Sequence, residues 1–268
     1  MTGSDLIFLV LSNLAVLLAL LTVLWFVSVR IKDASIIDIF WGPACALPAV
    51  LTFLRTDGAD PRALVLTLLV TLWAARLGLY LGQRNLGHGE DVRYQKMRAG
   101  RGSDEAFARW SLTRVFWLQG VIAWFVSFPV QLGQFGDNVF GAASFGWLAW
   151  IGVLVFAIGL GFEAIGDWQL KRFKADPANK GKLMTRGLWA YTRHPNYFGD
   201  AAVWTGLTLI ALESPFGIWT IASPAVMAFF LVKVSGKAMT ERLMEKKYPD
   251  YADYKRRVSG FIPMPPKA

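Results

Sequence analysis

The stretch Leu6–Val29, LIFLVLSNLAVLLALLTVLWFVSV, runs for 24 residues without a charge. As a helix it is long enough to cross a hydrocarbon core of about 30 Å. The residues before it, Met-Thr-Gly-Ser-Asp, carry no basic group, and the apolar run is long for a secretory leader. It therefore reads as a first, retained membrane helix. The rest of the chain agrees: 54% of its 268 residues are hydrophobic, and the mean hydropathy is +0.40.

Six further apolar segments follow, at 36–54, 63–82, 115–133, 145–162, 197–212 and 216–232. None alternates with period two, and a lipid-spanning chain must be helical or a closed barrel. The expected fold is all-α, a membrane bundle of about seven transmembrane helices. Residues 1–268 read as one integral-membrane domain, with 1–135 on the substrate side and 145–268 as the cofactor-binding half. Lys and Arg number 2, 7, 7 and 9 in the connections 30–35, 83–114 and 166–196 and in the tail from 233. They number 2, 0 and 0 in the connections 55–62, 134–144 and 212–216. That alternation places the N-terminus outside and the C-terminus in the cytoplasm. It also accounts for the net charge of +9, with anionic lipid rather than nucleic acid as the expected partner. A lone Cys45 and two histidines, His88 and His194, give no expectation of a metal site.

Ionisable residues inside membrane helices are costly and usually serve a site. On this topology Asp38, Arg76, Glu163, Asp167, Asp200, Lys233 and Lys237 all fall toward the cytoplasmic side. Glu163, Asp167, Lys171 and Lys174 share one helix face, as do Lys233, Lys237 and Glu241, and Arg76 with Tyr80. The segment Leu183–Asp200, LMTRGLWAYTRHPNYFGD, adds Arg186, Tyr191, Arg193, His194, Asn196 and Tyr197. Such groups can hold a phosphorylated aromatic cofactor by charge, hydrogen bonds and stacking. Simpler readings stand beside this one. The lysines can snorkel to the interface, Tyr191 and Tyr197 can belong to an aromatic belt, and Asn196 can cap a helix. The loop Gly89-Glu90-Asp91-Val92-Arg93-Tyr94 is either a solvated charged loop or the mouth of a cavity. Asp38 opens an apolar helix, where an ionised carboxylate is expensive unless paired. It is therefore expected either to be protonated and able to donate, or to be locked to Arg76.

RGLWAYTRHPNYFGD, the upstream GEDVRY and the tail YPDYADYKRRVSGFIPMPP together resemble the bacterial membrane proteins of the steroid 5α-reductase superfamily, in its small branch. The resemblance implies a seven-helix bundle in a bacterial inner membrane, with its active site facing the cytoplasm. It implies NADPH as cofactor and reduction of a carbon–carbon double bond in a hydrophobic, lipid or steroid-like substrate from the bilayer. By local match it implies cofactor contacts from Arg76, Tyr80, Asp167, Asn196 and Asp200, with Glu163 where an amide is usual. It places Lys174 and Lys182 where arginines are usual and Lys237 where a histidine is usual. The family's carbonyl-gripping Gln-Glu pair and its tyrosine on the third helix are replaced here by Ile37-Asp38 and Trp73. Asp38 is then the candidate acid, with Tyr94 in reserve and Glu90 and Asp91 as further catalytic candidates. Arg193-His194-Pro195-x-Tyr197-x-Gly199 also resembles the isoprenylcysteine and phospholipid methyltransferases, which use S-adenosylmethionine. Those carry two adjacent glutamates on the last helix, where this chain has Thr240-Glu241.

Overall fold

The uncharged opening run forms a single helix, α1 (Gly3–Ile31). A computed structural model describes residues 3–56, 60–141, 145–234 and 237–267, with the side chains of 234–239 outside the description. Asp57-Gly58, a dipeptide that favours a turn, lies outside the described residues. Among the described residues every named element is helical. Two compact units divide the chain: residues 1–146 with 211–220, and residues 147–210 with 221–268.

In the first unit α2 (Ile36–Phe53) and α3 (Pro61–Asn85) pack face to face. Their backbones approach closely where Gly42 meets Ala74, since a Cβ on Gly42 would lie 2.9 Å from the Ala74 carbonyl oxygen. After α4 (Val92–Ala99) and α5 (Asp104–Ser111) comes the segment expected as one helix over 115–133, and here the structure differs. A π-helical turn (Leu112–Trp117) leads into α6 (Leu118–Val126), which ends at Ser127, and a short α7 (Phe128–Leu132) follows. Pro129 supplies the reason for the break, because it has no N–H for the preceding turn.

The interior of this unit is not wholly apolar. Asn13 is fully buried and donates to Thr52 Oγ1 at 2.9 Å and Gln131 Oε1 at 3.0 Å. Gln131 in turn donates to Ser127 Oγ at 2.8 Å. Arg62 and Glu213, which the sequence places in connections between helices, are both 0% exposed. The Arg62 guanidinium donates to the carbonyls of Gly133 at 2.8 Å, Phe135 at 3.3 Å and Glu213 at 3.4 Å, and also to that of Gly136. Asp60, the N-cap of α3, accepts from the Arg62 backbone at 2.8 Å. Glu213 accepts from Gly146 N–H at 2.7 Å and from Asn138 at 3.1 Å.

The second unit is built on α8 (Trp147–Ala175) and α9 (Pro195–Ala211). Glycines 152, 159 and 166 recur every seven residues along one face of α8. Gly159 meets Gly199 and Gly152 meets Gly206, while Gly166 faces Pro195. α10 (Ala222–Phe229), α11 (Lys237–Lys247) and α12 (Tyr251–Arg257) complete the unit. Among the described residues four helices are long and apolar enough to cross a membrane: 4–31, α2, α3 and α8. The remaining three expected segments are the broken one at 112–132, the 17-residue α9, and a shorter apolar stretch at 217–233.

A Cβ on Gly199 would lie 2.5 Å from the Gly159 carbonyl oxygen and 2.7 Å from the Glu163 nitrogen. Gly199→Ala is expected to lower stability by about 1–3 kcal/mol through overpacking. Gly161→Ala, on the same helix as Gly159 but with nothing within 4 Å, is expected to stay within about 0.5 kcal/mol of the parent. Thermal unfolding of the two variants in detergent checks the contrast.

Candidate functional site

In the second unit the chain reaches α9 through a short 3-10 turn, Gly187–Ala190. Gly187 has φ +61° and sits against the side-chain amide of Gln169, so neither its backbone nor its space admits a side chain readily. Thr192 lies beside Ser259 in an isolated parallel bridge, and Arg193 N–H donates to Ser259 O at 2.9 Å. Pro195 then opens α9, where its missing N–H costs nothing. Asn196 therefore lies inside the first turn and is not its cap. Its amide donates to Asp167 Oδ1 at 3.4 Å, and its oxygen accepts from Tyr197 N–H at 3.1 Å. Asp167 and Glu163 are buried on α8 at 4% and 3% exposure, and Asp200 follows one turn into α9.

A second cluster surrounds Glu241 on α11. Arg193 donates to Glu241 Oε1 from Nε at 3.0 Å and Nη2 at 2.9 Å, and His194 Nε2 lies 3.2 Å from the same oxygen. Arg193 Nη1 donates to Lys255 O at 3.0 Å and to Val258 O. The His194 ring stacks on Tyr197, with centroids 5.1 Å apart and planes 4° apart. Arg193 is thus spent on binding the C-terminal segment to the start of α9. Burial on its own would raise the Glu241 carboxyl, but hydrogen bonds from His194 and Arg193 and the Arg193 charge outweigh it and hold the pKa at about 2. Tyr191, Lys171, Lys174, Lys182 and Arg186 are exposed. The side chain of Lys237 lies outside the described residues.

The catalytic candidates belong to the first unit. Backbone links fold the 90–94 loop against the start of α2: Ala34 N–H donates to Glu90 Oε1 at 2.9 Å, and Asp91 N–H to Ser35 Oγ at 3.2 Å. This brings Arg93 and Tyr94 onto Asp38. Arg93 Nη2 donates to Asp38 Oδ2 at 2.6 Å, and Tyr94 Oη donates to Asp38 Oδ1 at 2.8 Å. Gln119 donates to Tyr94 Oη at 3.4 Å. Asp38 is therefore paired, and its partner is Arg93 in the first turn of α4, which the sequence does not single out for this role. Arg93 also donates to Asp91 Oδ1 at 2.9 Å. Glu90 has both oxygens engaged by Arg98, at 2.8 and 3.0 Å, and acts as a clamp for the loop. Burial first, and then the Asp38 charge, push the Tyr94 phenol well above its ordinary pKa. Further along α3, Arg76 lies over the Tyr80 ring at 5.4 Å.

A family model described as "Protein of unknown function (DUF1295)" matches residues 24–258, and the chain belongs to that family, which is related to the steroid 5α-reductase superfamily. An uncharacterized protein of Schizosaccharomyces pombe is 28% identical over 273 residues, covering 90% of this chain and 76% of that one. A protein of Ustilaginoidea virens named "Probable O-methyltransferase ustE" is 34% identical over 88 residues, 33% of this chain and 29% of its own. Both of these relatives are fungal. No solved structure matches.

Because the folded-state pKa of Glu241 is depressed from 4.5 to about 2, its contribution to stability is present above pH 4.5 and is lost as pH falls toward 2. Thermal melting in detergent between about pH 6 and about pH 2 should show this loss, since that range brackets the window. Glu241→Gln should be less stable at pH 6 and flatter across the range. A parent-like slope in the variant would remove Glu241 as its source.

Proposed function

We propose that the chain is an integral-membrane oxidoreductase that reduces a carbon–carbon double bond of a hydrophobic, lipid or steroid-like substrate with NADPH. The reading includes seven membrane crossings, an outside N-terminus and chemistry on the cytoplasmic side of the cell membrane. The observation that carries it is the hydrogen bond from the buried Tyr94 phenol to the half-buried carboxylate of Asp38. A phenol held protonated at neutral pH is a hydrogen-bond and proton donor suited to an electron-rich carbon or a carbonyl oxygen. The phenol has a single proton, which in the resting site is donated to Asp38. When substrate enters, that O–H would turn from Asp38 to it, with Gln119 still donating to the phenol oxygen and Arg93 balancing the Asp38 charge. This assigns the proton to Tyr94, with Asp38 in a positioning role beside it.

The donor and acceptor set of the second unit fits a dinucleotide. Asp167, Glu163 and Asn196 offer buried acceptors and an amide for ribose hydroxyls and a carboxamide, and Asp200 follows on α9. Lys171, Lys174 and Lys182 offer exposed cations for phosphates, including a 2′-phosphate. When bound, NADPH supplies a hydride; the chain's own residues orient, exclude water and hold the proton. The relation of the family to the steroid 5α-reductase superfamily supports this reading.

A second reading, an S-adenosylmethionine-dependent methyltransferase acting on a membrane lipid, rests on the partial match to the O-methyltransferase relative. Tryptophan fluorescence quenching with NADPH, NADH and S-adenosylmethionine separates the two. The reductase reading expects NADPH to bind more tightly than NADH. Equal affinities for the two nucleotides, or binding of S-adenosylmethionine alone, would sink it.

Turnover of a panel of conjugated-enone lipids, followed as NADPH oxidation, tests the proton donor. Tyr94→Phe is expected to cut turnover by about 10²–10⁴-fold while NADPH affinity holds. Asp38→Asn should also slow turnover. It should cost only about 1 kcal/mol of stability, because Arg93 is partly exposed and keeps Asp91 as a partner. A fully active Tyr94→Phe protein would move the chemistry elsewhere.

A further inference from the structure

The exposed face of α8 ends in a polar concavity that the proposed chemistry does not use. Ile151, Leu154, Ile158, Ile165 and Trp168 are all exposed along this helix, and their spacing places them on one stripe. One turn beyond Trp168 stands Arg172, whose guanidinium lies 5.5 Å from the centre of the indole ring. There the helix meets the loop that follows it, and a concavity of about 330 Å³ opens, with Trp168, Arg172, Phe173 and Arg186 in its wall. Asp176 also lines it, but its carboxylate is occupied as a cap, accepting from Ala178 N–H at 2.9 Å and from Asn179 at 3.3 Å. Neither Arg172 nor Arg186 has an ion-pair partner among the described residues. Two such cations and an indole therefore face one small space.

We propose that this concavity binds the phosphate of an anionic phospholipid, whose acyl chains lie along the exposed stripe of α8. Charge complementarity names the headgroup, and the continuity of apolar stripe, indole and guanidinium names the lipid. Trp residues settle at the level of the headgroups, where their ring is half in hydrocarbon, and paired basic groups at that depth favour anionic lipid. The C-terminal end of a helix repels an anion, which explains why one arginine would not suffice and why Arg186 is brought in from the loop. The site stands apart from the cofactor candidates on the same helix, and it takes Arg186, a cofactor candidate on sequence grounds, for the lipid phosphate. Arg172 is rotated by about 140° from Asp167 at 3.6 residues per turn.

The full-length protein in phosphatidylcholine nanodiscs containing a minor fraction of phosphatidylglycerol provides the test. Lipids retained after release are identified by native mass spectrometry. The parent should retain phosphatidylglycerol in preference to phosphatidylcholine. Arg172→Ala/Arg186→Ala should lose that preference by on the order of tenfold, with its melting temperature unchanged. Lys246→Ala/Lys247→Ala, with the same loss of charge on α11, should keep it. A double arginine variant that retains the preference would overturn the proposal, as would an equal loss in the lysine control. Displacement of the lipid by inorganic phosphate or by NADPH at comparable concentration would show a soluble-anion site instead, and would overturn it too. A retained Arg172→Lys/Arg186→Lys protein that still prefers phosphatidylglycerol supports charge as the cause.

Discussion

The second unit depends on how closely α8 and α9 approach. Their backbones meet at Gly152–Gly206 and Gly159–Gly199, where any Cβ would fall within 2.6 Å of the opposing chain. Between helices in lipid there is little hydrophobic driving force, so close van der Waals contact carries the association. Seven residues span nearly two turns, so glycines at that interval stay on one face with a drift of only about 20° per repeat. The acids lie on the same side of α8. Glu163 is four residues past Gly159, and Asp167 follows Gly166. Tight packing therefore sets Asp167 within reach of Asn196 at the start of α9, and the polar cluster follows from the glycines.

The first unit settles its buried charges by a different route at each place. Arg62 enters the interior with oxygen partners that include four main-chain carbonyls, those of Gly133, Phe135, Gly136 and Glu213. A guanidinium carries five donors in a fixed fork, and here the loops supply the acceptors. The desolvation that makes a lone membrane cation costly is offset by what those carbonyls would otherwise lose. Asp38 is handled the other way, by bringing a cation and a phenol to it from the first turn of α4. Arg93 is partly exposed, so the pair costs less to bury than a pair sunk in the bundle.

These differences explain what was legible in the sequence. The candidate spans at 4–31, α2, α3 and α8 were readable because a long, mainly apolar run has one low-energy solution in lipid. The break at Ser127–Pro129 was readable in principle from the proline, but an apolar run on both sides hid it. Arg62 and Glu213 were assigned to short connections, and nothing in a linear sequence says that a connection is buried. The partner of Asp38 was also beyond reach. It depends on two contacts with no periodic signature, Ala34 to Glu90 and Asp91 to Ser35. The heptad of glycines in α8 was a usable signal, since it needs only counting. The proline at 195 likewise marks where α9 begins, and it moves Asn196 from the cap into the first turn.

Arg193 shows why a motif and a site need not be the same residues. The RHPNY stretch carries much of the family resemblance, and its arginine looks like the natural partner of a cofactor phosphate. In the fold that arginine is surrounded by Glu241 and by the carbonyls of Lys255 and Val258, which leaves its donors committed. Its effect on a ligand is therefore indirect. It fastens the C-terminal segment beside Thr192, and with His194 it fixes the angle at which the chain turns into α9. Asn196 and Asp200 inherit that angle. A conservative change to lysine would keep the charge but lose the fork that reaches three acceptors at once, so the geometry of the amide and the acid would loosen before any charge was lost from the site.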